Sequence, residues 1–279
     1  MVCITVTELA ILDLTGNTNA TPINPGAITF QSNTKIIYDT STGSATAELS
    51  PFTAATISNN GVIQLSTVSG GTVTTGRHIQ IIGSTWIASN CTFESGYSTQ
   101  VGGCFQVISG GTAHLVNVTI RGCTSTIASA TNGLCPLGDG TEIILDGCTI
   151  GTNCGTLLYN ASKMVVKDTT LYSTIHMRDA VDVRITVQGT LMLNAGARVA
   201  WAPTPVSTPH GTITLEDNTI IILSNDWTAG ISTPIAALTL NIGANCKIWP
   251  KGGTAYVNLA SGTYTSASIS SNGVLSYKS

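Results

Sequence analysis

The amino-acid sequence predicts an almost entirely β protein, built as a coil of short stacked strands. Three observations carry that expectation. The first is a shortage of charge: 279 residues hold 11 basic and 14 acidic side chains, 9% of the chain, against about a quarter in an ordinary soluble domain. The second is what replaces it, since 44 residues are Thr and 29 are Gly. Helix surfaces are built from Glu, Lys, Arg and Gln, whereas β-branched residues favour strands, so a helical bundle is excluded. The third is a recurring unit in which a short apolar strand meets a polar corner, then a Thr and a large apolar residue. With 42% hydrophobic residues and a mean hydropathy of +0.29 the chain is not disordered either, because disorder requires low hydrophobicity or high net charge.

Along the chain, Met1–Leu14 has no basic leader region and no small-residue cleavage site, and it contains Glu8 and Asp13, so it does not read as a secretory signal. Thr7-Glu8-Leu9-Ala10-Ile11-Leu12 is expected to be a short amphipathic helix capping the first coil, since the open end of a stack exposes backbone groups. Gly26-Ala27-Ile28-Thr29-Phe30 and Gly61-Val62-Ile63-Gln64-Leu65 read as single strands. The clearest units follow: Trp86–Phe93, His114–Ile120, Ile143–Ile150 and Met164–Leu171, with a fainter fifth, Val187–Leu191. Their anchors Thr92, Thr119, Thr149, Thr170 and Thr190 are 27, 30, 21 and 20 residues apart. That spacing suits strands of fixed length joined by loops of free length, not a repeat of constant period. Side chains alternate faces along a strand. Cys91, Val118, Cys148 and Thr169 should therefore stack inward beside Phe93, Ile120, Ile150 and Leu171, with Thr92, Thr119, Thr149 and Thr170 outward. Gly-Gly pairs at 70–71, 110–111 and 252–253 read as turns. Pro203, Pro205 and Pro209 interrupt the pattern. The expected organisation is a coil with an N-terminal cap over 1–200, a Pro-rich loop over 201–210, and 211–279 either continuing the coil or forming a small C-terminal β domain.

These units resemble the right-handed parallel β-helix, or pectin-lyase-like, superfamily, found in phage tailspikes and surface adhesins. Its coils run an apolar strand into an Asn or Asp corner and then a Cys-Thr-Phe or Val-Thr-Ile strand. The likeness covers 84–195 most fully; Gly211–Leu215 and Ala237–Leu240 extend it. It implies a right-handed solenoid of about 11 coils, at roughly 25 residues per coil, and a rod on the order of 50 Å long at the inter-strand spacing. Such a resemblance specifies architecture better than function.

Many proteins of this superfamily cut polysaccharides with carboxylates, or with Lys and Arg, collected on one outer face. Hydrolysis needs two carboxyl groups facing each other across a sugar. Asp146 and Asp168 are the best-aligned pair, but Lys167 occupies the place that stacks on Asp146, so a rung-to-rung ion pair is expected instead. The densest polar segment is His176, Arg178, Asp179, Asp182 and Arg184, with Asp182 and Arg184 on one strand face. The Asn-Thr-Asp and Gly-His-Gly pieces of the pectin-degrading enzymes are missing, and Gly76-Arg77-His78 is no substitute. The four histidines are scattered, and no Gly-x-Ser-x-Gly elbow occurs. No catalytic residue is therefore expected; were the chain an enzyme, Asp182, Asp179, Arg184, His176 and Asp146 would carry the chemistry.

Trp201, Trp227 and Trp249 are the candidate ligand-binding residues, because an exposed aromatic face stacks on a pyranose ring; the alternative is that they fill the C-terminal core. Six of eight cysteines fall between Cys91 and Cys154 without a Cys-x-x-Cys pair. They read as buried thiols or as one or two disulfides between neighbouring layers, Cys123–Cys154 first, and neither a metal nor another cofactor is expected. Net charge of −3 offers no basic face for nucleic acid. The longest apolar runs, such as Ile220–Leu223, are too short for a membrane-spanning helix. The expectation is a non-enzymatic structural or attachment protein displayed on a virion (tail fibre, spike or capsid appendage) or on a cell surface. Its partners would be cell-surface glycan or virion and surface proteins, and a homotrimer follows by analogy with fibres. The alternative is a polysaccharide lyase or glycoside hydrolase.

Overall fold

Two short strands joined by one left-handed residue are the unit from which the coil is built. Asn90, Asn117, Gly147 and Asp168 hold φ of 52, 51, 67 and 46° on successive coils. This region is open to Gly and tolerated by Asn and Asp, whose short polar side chains bond locally. The computed structural model describes the strands at 3–6, 11–13, 27–30, 35–38, 56–58, 62–65, 79–82 and 97–98. It describes more continuously residues 85–90, 92–94, 103–125, 132–178, 182–201, 211–228 and 233–278. No helix occurs among the described residues.

The strands stack in three parallel ladders. The first runs from Ile79–Ile82 through Phe105–Ile108, Asn132–Leu137, Gly155–Leu158, Ile175–Met177 and Val199–Trp201 to the start of Ile235–Ile242. The second passes through Cys3–Val6, Ala27–Phe30, Thr56–Ser58, Thr85–Ser89, Thr112–Val116 and Glu142–Asp146. It continues through the first halves of Lys163–Leu171 and Arg184–Leu193, then Thr212–Leu215 and the end of Ile235–Ile242. The third comprises Ile11–Asp13, Lys35–Tyr38, Val62–Leu65, Thr92–Glu94, Thr119–Arg121, Thr149–Ile150, the second halves of those two long strands, Ile220–Leu223 and Lys247–Trp249. The protein is thus all β, its parallel strands curled into a solenoid-like sheet.

The inward columns fall where alternation places them. Phe93, Ile120, Ile150 and Leu171 are in register and fully buried, as are Val118, Cys148 and Thr169. Thr92, Thr119, Thr149 and Thr170 stack on the outer side. Cys91 lies outside the described residues. Thr169 is the polar member of the inner column, and its hydroxyl donates to Lys167 O at 2.8 Å and accepts from Cys148 N at 3.4 Å. Phe93 of the third ladder meets Phe105 of the first edge-to-face across the interior, centroids 4.9 Å apart. The first ladder is buried on both faces, Phe105, Gln106 and Val107 alike, which explains its continuous apolar runs. The six described cysteines are buried thiols. Cys123 N donates to Cys154 Sγ at 3.0 Å, one coil away.

Two expectations need correction. Thr190 does not continue the outer Thr column: Thr170 faces Met192, because the register shifts after Lys167. Gly189 and Thr190 together oppose Asp168, and Thr190 N donates to Asp168 Oδ1 at 2.8 Å, so the corner absorbs one extra residue. The helix over Thr7–Leu12 is not formed at its end, since Ile11–Asp13 is a strand paired with Lys35–Ile37. A neighbouring strand supplies those residues with ladder hydrogen bonds that a single isolated helical turn could not match. Residues 7–10 lie outside the described residues, as do the Gly-Gly pair at 70–71 and Pro203, Pro205 and Pro209. The pairs at 110–111 and 252–253 are turns.

At the C-terminal end the pairing changes sense. Ile235–Ile242 pairs antiparallel with Gly262–Ile269, which pairs antiparallel with Leu275–Lys278, and Lys247–Trp249 pairs antiparallel with Val257–Asn258. These strands cover the edge that a parallel coil leaves open.

Gly147 tests the corner. A Cβ there would strike Asn117 Oδ1, whereas a Cβ at Gly110, also at positive φ, meets nothing within 4 Å. Gly110→Ala should cost about 1–2 kcal/mol, the left-handed penalty alone. Gly147→Ala should cost more, by roughly 1–3 kcal/mol for the displaced neighbour. Urea denaturation of the two variants measures the difference, and equal midpoints would show that the corner yields freely.

Candidate functional site

The connection from the third ladder to the first varies in length from coil to coil. It spans 95–104 and 122–131 in two coils, then shortens to 151–154, 172–174 and 194–198, and lengthens again to 224–234. Where the three short turns stack, the corner opens into a cleft of about 260 Å³, lined by Thr152, Asn153, Tyr172, Thr174, His176 and the backbone at 195–197. Tyr172 stands at its rim with 38% of its surface exposed.

His176 is the member with unusual chemistry. Its strand, Ile175–Met177, turns Ile175 and Met177 into the core and leaves His176 half-buried on the outer side. Nδ1 is buried and has no hydrogen-bond partner among the described residues; the same holds for Nε of Arg198. Burial, with the positive charge of Arg198 as second cause, pushes the His176 imidazole down to about 4, so it is neutral at physiological pH. Burial also lowers the Arg198 guanidinium from its usual value. Thr156 Oγ1 and Asn194 Nδ2, on the strand and turn nearby, are likewise buried without partners.

The polar segment grouped by sequence is taken apart by the structure. Arg178 Nη1 donates to Tyr159 Oη at 2.6 Å, with its guanidinium 5.3 Å above that ring. Arg184 donates to both Asp182 oxygens at 3.1 Å, in a pair more than half exposed on both sides. His176 is instead close enough to Arg198 for that positive charge to act on it. Asp179 lies outside the described residues. Asp146 accepts from Lys167 Nζ at 2.9 Å across one rung, the expected ion pair, and the carboxylate raises the Lys167 ammonium above its ordinary value. Asp168 is bonded to the Thr190 backbone and Asp217 to Ala244 N at 2.8 Å. Arg198 went unnoticed in sequence because it stands alone, 22 positions after His176; only the pairing of Ile175 with Val199 brings it near.

The three tryptophans do not form a platform. Trp227 is only 4% exposed and donates its indole N–H to Ala197 O at 2.8 Å. It fills the core, so its assignment to ligand binding is corrected: the coil needed a large apolar side chain below the 194–198 turn. Trp249 packs edge-to-face on Tyr256 with centroids 4.8 Å apart, and Trp201 ends its strand half-buried beside Met177. Among the described residues no three His, Cys, Asp or Glu side chains converge as a metal site. Comparison of the chain with protein-family models, curated proteins and solved structures finds no match.

Trp227→Ala should therefore lower stability by about 3–5 kcal/mol, as for a buried large side chain, and Trp249→Ala by much less. Chemical denaturation reads both, and the reverse order would contradict this placement. His176 makes stability depend on pH. The unfolded chain protonates it near 6.5 and the folded one near 4, so between these values the unfolded state binds the additional proton. Stability then falls as pH drops from 6.5 to 4 and levels off below, by roughly 3 kcal/mol in all. Denaturation midpoints across this window should be correspondingly flatter for His176→Gln; parallel curves would show that the ring titrates normally.

Proposed function

We propose that the chain is a non-enzymatic attachment rod. In this reading it is a right-handed, pectin-lyase-like β-helix of about 11 coils. It is displayed on a virion as tail fibre, spike or capsid appendage, or on a cell surface, and engages glycan or a surface protein, as a homotrimer. The observation that carries it is the occupation of the carboxylates. Asp146 and Asp182 are held by cations, and Asp168 and Asp217 by backbone N–H groups. Glycoside hydrolysis would instead need two carboxyl groups opposed across a sugar, one of them raised in pKa. The outer Thr column and the hydrogen-bonded polar side chains Thr214, Asn241 and Thr263 supply a nearly neutral exterior suited to contact. Net charge of −3 supports a partner other than nucleic acid. No helix among the described residues is long and apolar enough to cross a membrane.

A glycan array paired with a reducing-end release assay tests the proposal. Retention of one glycan class without release of oligosaccharide is expected. Release that disappears in Asp182→Asn or Asp146→Asn would overturn it in favour of a polysaccharide lyase or hydrolase.

A further inference from the structure

Two buried thiols meet where the third ladder turns toward the first. Gly151 N donates to Ile120 O at 2.7 Å, so register holds up to the corner, and Cys123 and Cys154 each follow three residues beyond that pair. There Cys123 N donates to Cys154 Sγ at 3.0 Å, and the Cys154 thiol is hydrogen-bonded to the Cys123 side chain. Their main chains converge on Gly133 of the strand Asn132–Leu137, where a Cβ would lie 3.2 Å from Cys123 O and 3.2 Å from Cys154 Cα. Chains one rung apart are separated by about 4.8 Å, inside the roughly 4.4–6.8 Å between Cα atoms that a disulfide spans. Cys148 and Cys246 are engaged differently. The thiol of Cys148 donates to Leu115 O at 3.2 Å and that of Cys246 to Glu216 O at 3.1 Å, backbone carbonyls that offer no second sulfur. Cys123 and Cys154 are both fully buried. The bond to Cys123, and burial after it, push the Cys154 thiol above its ordinary value, so bulky thiol reagents should react slowly with the folded pair. A small oxidant is less hindered.

We propose that Cys123 and Cys154 are an oxidation site that closes as a disulfide between coils, fastening the root of the long 122–131 connection to the short 151–154 turn. Hydrogen peroxide is the oxidant. One thiol attacks the O–O bond and becomes a sulfenic acid, with release of water. The second thiol attacks that sulfur, the S–S bond forms, and the hydroxyl leaves with the thiol proton as another water. Two thiols and a peroxide thus give one disulfide and two waters. Oxidising surroundings outside a cell preserve such a bond. The closed loop from Cys123 to Cys154 restricts the unfolded chain and so stabilises the folded one. The proposal goes beyond the attachment reading and does not depend on it.

Peroxide treatment of the reduced, folded full chain, followed by differential alkylation, tests it. Free thiols are blocked with iodoacetamide in denaturant, disulfides are then reduced and labelled with N-ethylmaleimide, and the labelled peptides are sequenced by mass spectrometry. N-ethylmaleimide is expected on Cys123 and Cys154, and iodoacetamide on Cys148 and Cys246. The oxidised chain should melt about 5–10 °C above the reduced one. That gain should be absent from Cys154→Ala, whose own melting transition shows whether it folds; should it not fold, the wild-type labels decide. Iodoacetamide on both Cys123 and Cys154 after peroxide would overturn the proposal, as would their conversion to sulfinic acid without a crosslink. N-ethylmaleimide on Cys123 in folded Cys154→Ala would assign it another partner and overturn the pairing. A crosslink that leaves the melting temperature unchanged would overturn the fastening role. None of these outcomes bears on the attachment reading, which the glycan assay decides separately.

Discussion

Register is the constraint on which this structure depends. A parallel rung returns after one coil to a strand about 4.8 Å away, and a slip of one residue would turn every inward side chain outward. The chain maintains phase by placing a single left-handed residue between the second and third ladders. Asn90 and Asn117 do this in adjacent coils, and Asn117 Nδ2 donates to Asn90 Oδ1 at 3.2 Å. Asn218 and Asn245, in wider corners further on, repeat the bond at 3.3 Å. Because the corner is satisfied coil by coil, the inward columns need only be apolar, and loops elsewhere are free to change length.

Stacking in register also accounts for the scarcity of charge. A charged side chain on an outer column has its counterpart one rung away, where like charges repel. Charges are tolerated where the column alternates or where a local partner intervenes. Asp146 is followed by Lys167. Lys163 stands in register between Glu142 and Arg184, and Arg184 is itself bonded to Asp182. Thr meets the same column with no repulsion at all, and its branched side chain fits a pleated surface. The composition that first identifies the fold is thus a consequence of the geometry.

What was legible in the sequence was whatever repeats within one coil. The Thr-x residues of four units gave the outer column and the inner Phe93, Ile120, Ile150 and Leu171 column, because alternation is local and loop length does not disturb it. Lys167 against Asp146 followed from the same alignment. Legibility failed where one residue was inserted: Gly189-Thr190 imitates the anchor, and only the Asp168 bond to Thr190 N reveals the shift. It failed for Trp227, whose polar neighbours Ser224, Asn225 and Asp226 suggest a surface while the ring lies in the core. It failed for His176 and Arg198, since a loop of free length separates them and no motif marks their meeting.

The place of the cleft follows from the same freedom. An insertion in a coil leaves the ladders intact and changes only what overhangs the corner. The first ladder is buried on its outer side at Gln106, Cys135 and Leu157 as well as within, so that side is covered there. At 151–154, 172–174 and 194–198 the turns are too short to overhang it, and polar residues take the place of apolar ones: Thr174, His176 and Arg198. Thr174 and His176 lie two residues apart on one coil, and Arg198 comes beside Thr174 on the next. In the column of His176 the adjoining coils carry Leu157 and Ala200. Buried nitrogen atoms without partners on two of these side chains weaken the stack at this corner. That cost is confined to this corner, and the ladders on either side of it hold it in place.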